Sequence, residues 1–507
     1  MSESGVGRSG CAAGEKPLNR IDLAEGTVYP RSAVRQGETT YFLARLHAEG
    51  GRRLGVIGET AGFSGATAAG GAILVCPLTP GNAAALRSRL LWLNPGPLGC
   101  VASFGFGDRI GSATPGHIQA LRAADPAGAL APVFAQQSVR ENARSGRTPQ
   151  QVVDDAMWGV FQEGWRSPWG ADADHIKTTS DLAAFVAAGY SFFTIDPGDH
   201  VDNAAHSEPL STLRKKAASL PWDVLQASLT DLVSRFCRRP ISLNGISLTI
   251  DETVLLRALA KYGRALAHAV TVAHEITARM AGRPFDLEIS IDETDTPTSA
   301  DEHFIIAAEL SRCGVPVVSL APRFVGKFQK GVDYIGDLAD FEHELARHAA
   351  VMRHFGTFRL SIHTGSDKFS IYPVVARHSR RLVHVKTAGT SYLEALRVIA
   401  VSDPGLFRRI LALSRARFEQ DRKSYFLDAR LSEVPEGGAL DNADLPALLD
   451  AFDARQVLHV TFGSALDEFG PQIGSLLAEN ESQYRAVLEG HFVRHITPFV
   501  RGDDEPD

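Results

Sequence analysis

From about residue 98 the chain alternates between two rhythms. Short apolar or β-branched runs end in polar residues, and each is followed by a stretch with helical spacing. The runs fall at residues 100–105, 132–137, 173–177, 191–196, 285–292, 315–320, 358–363 and 381–386. Eight strands alternating with helices predict an α/β fold, a TIM-like (β/α)8 barrel. The competing arrangement is an open doubly wound sheet. It is disfavoured because no early strand runs into a Gly-rich dinucleotide loop.

The flanks have other patterns. Residues 1–35 read as a flexible arm, and residues 36–97 as an N-terminal β extension with runs at 40–45, 53–58 and 72–76. The barrel is expected over 98–400. An insertion over 202–253 follows the fourth strand, helical at first and then hairpin-like at 241–249. A long helix is predicted over 252–280, and Ser299 with Glu302 has capping-box spacing. Residues 401–507 read as a helical extension with one β-like run at 457–461 and a flexible tail from 501.

Composition narrows the function classes. The chain has 507 residues, 52 Lys+Arg against 59 Asp+Glu and a net charge of -7, with no basic stripe. That argues against nucleic acid as a partner and leaves room for an anionic small molecule held by a few local cations. Five scattered cysteines form no CxxC pair, which fits a reducing, cytoplasmic compartment. The Gly/Ser-rich N-terminus has no apolar signal segment. No run approaches the ~18 apolar residues of a membrane span, so no membrane partner is expected. A homo-oligomer is compatible with all of this.

Candidate chemistry gathers at the predicted strand ends. Positions i and i+2 of a strand share a face, so His175 with Lys177, and His384 with Lys386, are expected to point the same way. At a barrel mouth each pair offers an imidazole for a divalent metal and an ammonium for a carboxylate or enolate oxygen. The bland alternative is a satisfied core histidine. His363 closes another run and opens into a Gly/Ser turn, which suits a ligand beside an anion-binding nest. Asp174, next to His175, is placed to act as a general base where the strand turns, unless it merely forms a surface ion pair. Glu288, Ser290 and Asp292 alternate along the fifth run. Two acids on one face of an apolar strand need a cation, a metal or a shared proton.

Weaker candidates surround these. Asp196, Asp199 and His200 end the fourth run as spare ligands or plain loop residues. Gly105-Phe-Gly-Asp-Arg-Ile-Gly111 only loosely matches a phosphate loop, although Arg109 within it, and Arg323 after the sixth run, are placed to hold an anion. Tyr262 and His268 read as packing residues on the long helix.

Several longer motifs then resemble one family. They are Gly105-Phe-Gly-Asp-Arg-Ile-Gly-Ser-Ala-Thr-Pro-Gly-His117, Ala173-Asp-His-Ile-Lys-Thr178, Thr194-Ile-Asp-Pro-Gly-Asp-His-Val-Asp202, Ile291-Asp-Glu-Thr-Asp-Thr-Pro-Thr298, Ser319-Leu-Ala-Pro-Arg-Phe324, His363-Thr-Gly-Ser-Asp-Lys-Phe-Ser370 and His384-Val-Lys-Thr-Ala-Gly-Thr390. Together they resemble the tagaturonate/fructuronate epimerases, from about residue 39 to about 500. The resemblance implies a metal-dependent enzyme acting on a hexuronate keto-acid, with a metal-binding histidine beside an acidic proton acceptor, which fits Asp174-His175. Strand position adds His363 and His384 as further ligands, and Glu288 or Asp292 as proton donor. Lys177, Arg109, Arg323, Lys368 and Lys386 are the expected substrate-binding residues. A retro-aldol route is the expected chemistry. Two other readings stay open. One is a lysine- or metal-dependent aldolase, with Lys177 or Lys386 as the Schiff-base lysine; the other is a non-catalytic sugar-acid binding protein.

Overall fold

The computed structural model describes residues 26–47, 51–243 and 245–500. Most of the expected arm and the tail at 501–507 lie outside those residues. The chain divides into two compact units at Ala85/Leu86.

The first unit is an antiparallel sheet. Its strands are β1 (Gly26–Val28), β2 (Val34–Gln36), β3 (Thr39–Leu46), β4 (Arg52–Ile57), β5 (Ala66–Ala68) and β6 (Ile73–Cys76), in the order β1-β3-β4-β6-β5 with β2 also on β3. Three of the six were expected. β1, β2 and β5 have three residues each, too few to display an alternation. β1 and the first two residues of β2 lie inside the segment read as an arm, and both strands pair with β3. Phe42 and Ala44, two residues apart on β3, bury the same face with Ile73. Gly55 lies opposite Phe42, and a Cβ there would fall 2.1 Å from the Phe42 ring.

The second unit contains β7 (Ser103–Phe106), β8 (Ala131–Ser138), β9 (Gly170–Ile176), β10 (Phe192–Ile195), the hairpin β11 (Ile241–Leu243) and β12 (Ile246–Leu248), β13 (Asp286–Ile291), β14 (Val317–Pro322), β15 (Arg359–Ile362) and β16 (Val383–Thr387). The eight strands other than the hairpin form a closed parallel barrel, sealed where β16 pairs with β7. All eight coincide with the predicted runs. Helices follow them as the rhythm requires, among them Thr114–Ala124, Glu252–Met280, Ala300–Arg312 and Leu338–Phe355. The Ser299–Glu302 capping box is formed. The insertion after β10 is helical and ends in the hairpin, as expected.

A further expectation fails. Residues 457–461 are not a strand; Val457, Leu458 and Val460 end the helix Phe452–Val460, where all three are buried. A short apolar run buried on every side has the same composition in a helix as in a strand, so periodicity cannot separate them.

The barrel strands are amphipathic in an unusual sense: their polar face points inward. On β13, Leu287, Ile289 and Ile291 alternate with Asp286, Glu288 and Ser290, and all six are buried. Lys386 on β16 reaches Asp172 and Asp174 on β9 and Glu288 on β13, strands that are not its neighbours. Those contacts therefore cross the lumen. The apolar faces turn outward to the helices, and the interior becomes a layered polar core.

Candidate active site

The cavity lies at the C-terminal ends of the barrel strands, where barrel folds build their sites. It measures about 560 Å³. Its floor carries Asp174, His175, Asp292, His363 and Lys386.

The end of β9 sets the first pair of groups. Ala173 pairs with Phe193 and Ile176 with Ile195, so Asp174 and His175 together oppose the single residue Thr194. This is a β-bulge, and His175 within it has a left-handed backbone, φ 55. A bulge re-aims side chains, and both residues reach the cavity although adjacent strand positions normally face opposite ways. The same bulge breaks the expected alignment of His175 with Lys177. Lys177 instead contacts Asp199 at 2.9 Å, Glu293 at 3.2 Å and Asp196 at 3.6 Å.

Two carboxylate–imidazole pairs follow. His175 Nδ1 lies 2.8 Å from Asp174 Oδ1, and His363 Nε2 lies 2.6 Å from Glu288 Oε1. An ionised carboxylate only accepts hydrogen bonds, so each of these ring nitrogens carries a proton. The other nitrogens are His175 Nε2 and His363 Nδ1. His363 Nδ1 lies 3.4 Å from Asp292 Oδ1. His175, Asp292 and His363 each offer a ligand atom, and these atoms lie within 4.8 Å of one another.

Lys386 locks the arrangement from below. Its Nζ lies 2.7 Å from Asp174, 2.8 Å from Asp172 and 2.9 Å from Glu288, and it donates to Thr194 Oγ1 at 2.6 Å. Burial opposes its charge, but the three carboxylates override it and hold the ammonium protonated above its ordinary range. Asp174 and Glu288 are correspondingly held well below the carboxylate range: burial works against them, and the neighbouring cations prevail. Asp172, which has no imidazole, is pushed up to about 6 by burial despite Lys386. His363 is pushed up to about 10, because the Asp292 and Glu288 carboxylates overcome burial. The cluster is thus rich in negative charge and poised for a cation.

The described residues offer two other groups with ligand-like spacing. Asp196 and Glu293 with His175 form one, but Lys177 already contacts both acids. Asp367 with His491 and His495 forms the other, but Arg455 pairs with Asp367 at 3.0 Å. Among the described residues, no Lys or Arg ion-pairs with Asp292, whose ion-pair partner is His363.

Several expected site residues lie elsewhere. His384 is two residues earlier than Lys386 on β16 and therefore one layer deeper. Its Nδ1 meets Ser103 Oγ at 2.7 Å, burial holds the ring neutral, and it neither lines the cavity nor joins the ligand group. Arg109 is buried against Glu141, 2.7 Å away, and stacks on Phe462. Lys368 donates to the carbonyl oxygens of Gln329, Val332 and Ser366, away from the cavity. Glu288 lies beneath His363 and does not line the cavity. Arg323 does. The glycine-rich loop supplies its own anion: the Asp108 carboxylate accepts from the N–H groups of Ile110, Gly111 and Ala113 at the start of the helix Thr114–Ala124. His268 anchors a strand end, with Nε2 2.7 Å from the Lys177 carbonyl.

Other cavity residues escaped the sequence reading. Arg140, Lys330, Tyr425 and Phe426 form part of the wall. Arg140 opens the helix that follows β8, and Tyr425 and Phe426 come from a segment with no strand or helix rhythm. Gln136 on β8 presents an amide with both ends unpartnered, and Gly105 makes room for it, since a Cβ there would fall 2.0 Å from Gln136 Oε1.

The four described cysteines are free. Among the described residues, no helix is long and apolar enough to cross a membrane.

Comparison with known proteins identifies the family. The profile of the family UxaE, tagaturonate epimerase, matches residues 29–499. The tagaturonate/fructuronate epimerase of Thermotoga maritima is 41% identical over 477 residues, covering 92% of this chain and 96% of that protein. A glycerol-complexed crystal structure of the fructuronate-tagaturonate epimerase UxaE from Cohnella laeviribosi superposes with a TM-score of 0.88 at 35% identity, covering 94% of this chain and 96% of that one. Its native crystal structure gives 0.87. The chain belongs to the tagaturonate epimerase family, a family of isomerases.

Proposed function

We propose that this chain interconverts D-tagaturonate and D-fructuronate with a divalent cation held by His175, His363 and Asp292. The observation that carries the reading is the pair of imidazoles, each with one nitrogen fixed on a carboxylate and the other beside Asp292. The donor chemistry fits a divalent cation. Two imidazoles, each releasing its outer proton when a cation binds, and a carboxylate are ligands of catalytic transition-metal sites, and an orienting carboxylate behind each ligand histidine is the usual support. A cation bound there supplies Lewis-acid polarisation of a neighbouring carbonyl.

The two sugar acids differ at a hydroxyl-bearing carbon β to the ketone. The ketone does not acidify that carbon, so direct removal of its proton is unfavourable. Retro-aldol chemistry avoids the difficulty. The hydroxyl loses its proton, and its oxygen becomes an aldehyde as the bond between the α and β carbons breaks. The electron pair moves into the ketone half as an enediolate. The aldehyde turns its other face, the bond re-forms, and the new alkoxide regains a proton.

Asp174 and Glu293 are the two carboxylates that face the cavity beside His175 without belonging to the donor group, and we assign the proton transfers to them. Asp174 stays ionised under His175 and Lys386 and accepts the hydroxyl proton. Glu293 is half-exposed and exchanges its proton with solvent. Glu288 acts only through His363. A Schiff-base aldolase is disfavoured, because the carboxylates around Lys386, and Asp196, Glu293 and Asp199 around Lys177, keep both lysines protonated and without a nucleophilic lone pair. The four free cysteines suit a reducing, cytoplasmic setting.

The test is conversion of D-tagaturonate to D-fructuronate before and after chelation. Turnover that disappears with the metal and returns with added divalent cation is the expected result. Undiminished turnover by metal-free protein overturns the metal assignment, and trapping by borohydride would favour the aldolase.

A further inference from the structure

Most charged groups around the cavity are paired, but three cations in its wall, Arg140, Arg323 and Lys330, ion-pair with no described carboxylate, and two of these, Arg140 and Lys330, act on each other. Arg140 forms no hydrogen bond or ion pair through its side chain among the described residues. Its Nε is buried without an acceptor, and its guanidinium lies 5.1 Å from the centre of the Tyr425 ring. The adjacent Glu141 is consumed by Arg109. Lys330, in the loop after β14, donates to Thr364 Oγ1 at 2.9 Å and ion-pairs with no described carboxylate. The two cations sense each other: after burial, the Arg140 charge is what pulls the Lys330 ammonium below its ordinary value. Both line the cavity that holds His175, Asp292 and His363.

Glu293, Glu141 and Asp174 favour the Arg140 charge through space, but no described carboxylate contacts either half-buried cation, so both are open to pairing with a bound anion. We infer that Arg140 and Lys330 hold the carboxylate of the substrate and make the site select a keto-hexuronate over the corresponding neutral ketohexose. The inference rests on the proposed epimerase reading and extends it to specificity. A guanidinium matches a carboxylate edge with parallel donors, and an ammonium adds a point charge. In these sugar acids the ketone and the carboxylate lie at opposite ends of the carbon chain. Retro-aldol cleavage therefore leaves the carboxylate on the aldehyde half, the part that must turn without escaping. Cations in the cavity wall anchor that half. A ketohexose presents a hydroxymethyl group instead and leaves both cations uncompensated.

The test compares the metal-loaded wild-type protein with Arg140→Met and Lys330→Met, using D-tagaturonate and D-tagatose as substrates. For each variant, kcat/KM for the keto-acid should fall about 10- to 100-fold relative to that for the ketohexose. An unchanged ratio, with both substrates losing equally, overturns the inference. Calorimetric binding of D-fructuronate and D-fructose decides the matter separately from turnover. If the wild-type protein turns over neither sugar, the epimerase reading fails, while selective binding of the sugar acid that weakens in both variants still supports the carboxylate subsite. Equal binding of acid and neutral sugar, or acid binding unaffected by either substitution, overturns it.

Discussion

His175 Nδ1 lies 2.8 Å from the carboxylate of Asp174, the residue immediately before it. The bulge at the end of β9 makes this contact possible by turning both side chains into the cavity. Asp174 fixes the ring and its tautomer, so His175 Nε2 remains for a cation. Removing such an orienting carboxylate typically lowers metal affinity about 10- to 100-fold. Asp174→Asn should therefore bind metal more weakly, and should lose turnover even when saturated with metal, because the proton acceptor is gone. His175→Ala should not retain metal at all. Metal content by elemental analysis, with kcat at saturating metal, separates the two roles. Full kcat in Asp174→Asn would remove Asp174 as the base.

Lys386 ties Asp172, Asp174 and Glu288 together at 2.7 to 2.9 Å. Lys386→Met leaves three buried carboxylates without their cation. Breaking one buried ion pair costs about 3–5 kcal/mol. A loss of that order should appear in chemical denaturation, together with weakened metal binding as both orienting carboxylates loosen. A variant as stable as the wild type would mean that the carboxylates find another partner or take up protons.

His384 provides the contrasting case. It sits one layer below Lys386 with Nδ1 on Ser103. His384→Gln should keep metal stoichiometry near the wild-type value, whatever it does to stability. A variant that binds no metal would return His384 to the ligand set.

Acid should destabilise the fold through buried neutral histidines. His117 and His348 are each pushed down to about 4 by burial, from an ordinary 6.5. Between those values the unfolded chain binds protons that the folded chain refuses. Stability from these groups is complete above pH 6.5 and is lost as pH falls toward 4. Each contributes a slope of about 1.4 kcal/mol per pH unit. Unfolding free energy measured from pH 7 to 4.5 should decline, and His117→Gln should flatten the decline by one proton. An identical slope in the variant would show that His117 takes up its proton in the folded state.

The barrel was legible because each strand pairs a polar stripe with an apolar one, and helical spacing follows each run. Glu288 and Asp292, or His384 and Lys386, announce their shared face by period two alone. Depth within the barrel is not written in that period. His384 and Lys386 share a face, yet only Lys386 reaches the mouth. The bulge that separates His175 from Lys177 depends on pairing with β10, which local sequence does not display. Arg109 and Lys368 looked like anion binders because their long-range partners, Glu141 and the carbonyls around Gln329, are set by tertiary packing. Tyr425 and Phe426 belong to a segment without periodicity, so nothing marked them as cavity wall.

The most direct test of the account is anomalous diffraction from crystals of the protein loaded with manganese or zinc. The account predicts one strong peak between the side chains of His175, His363 and Asp292, with His384 outside the coordination sphere. A metal-saturated, active protein whose peak lies instead at Asp367, His491 and His495, or whose ligands include His384 in place of Asp292, would contradict it.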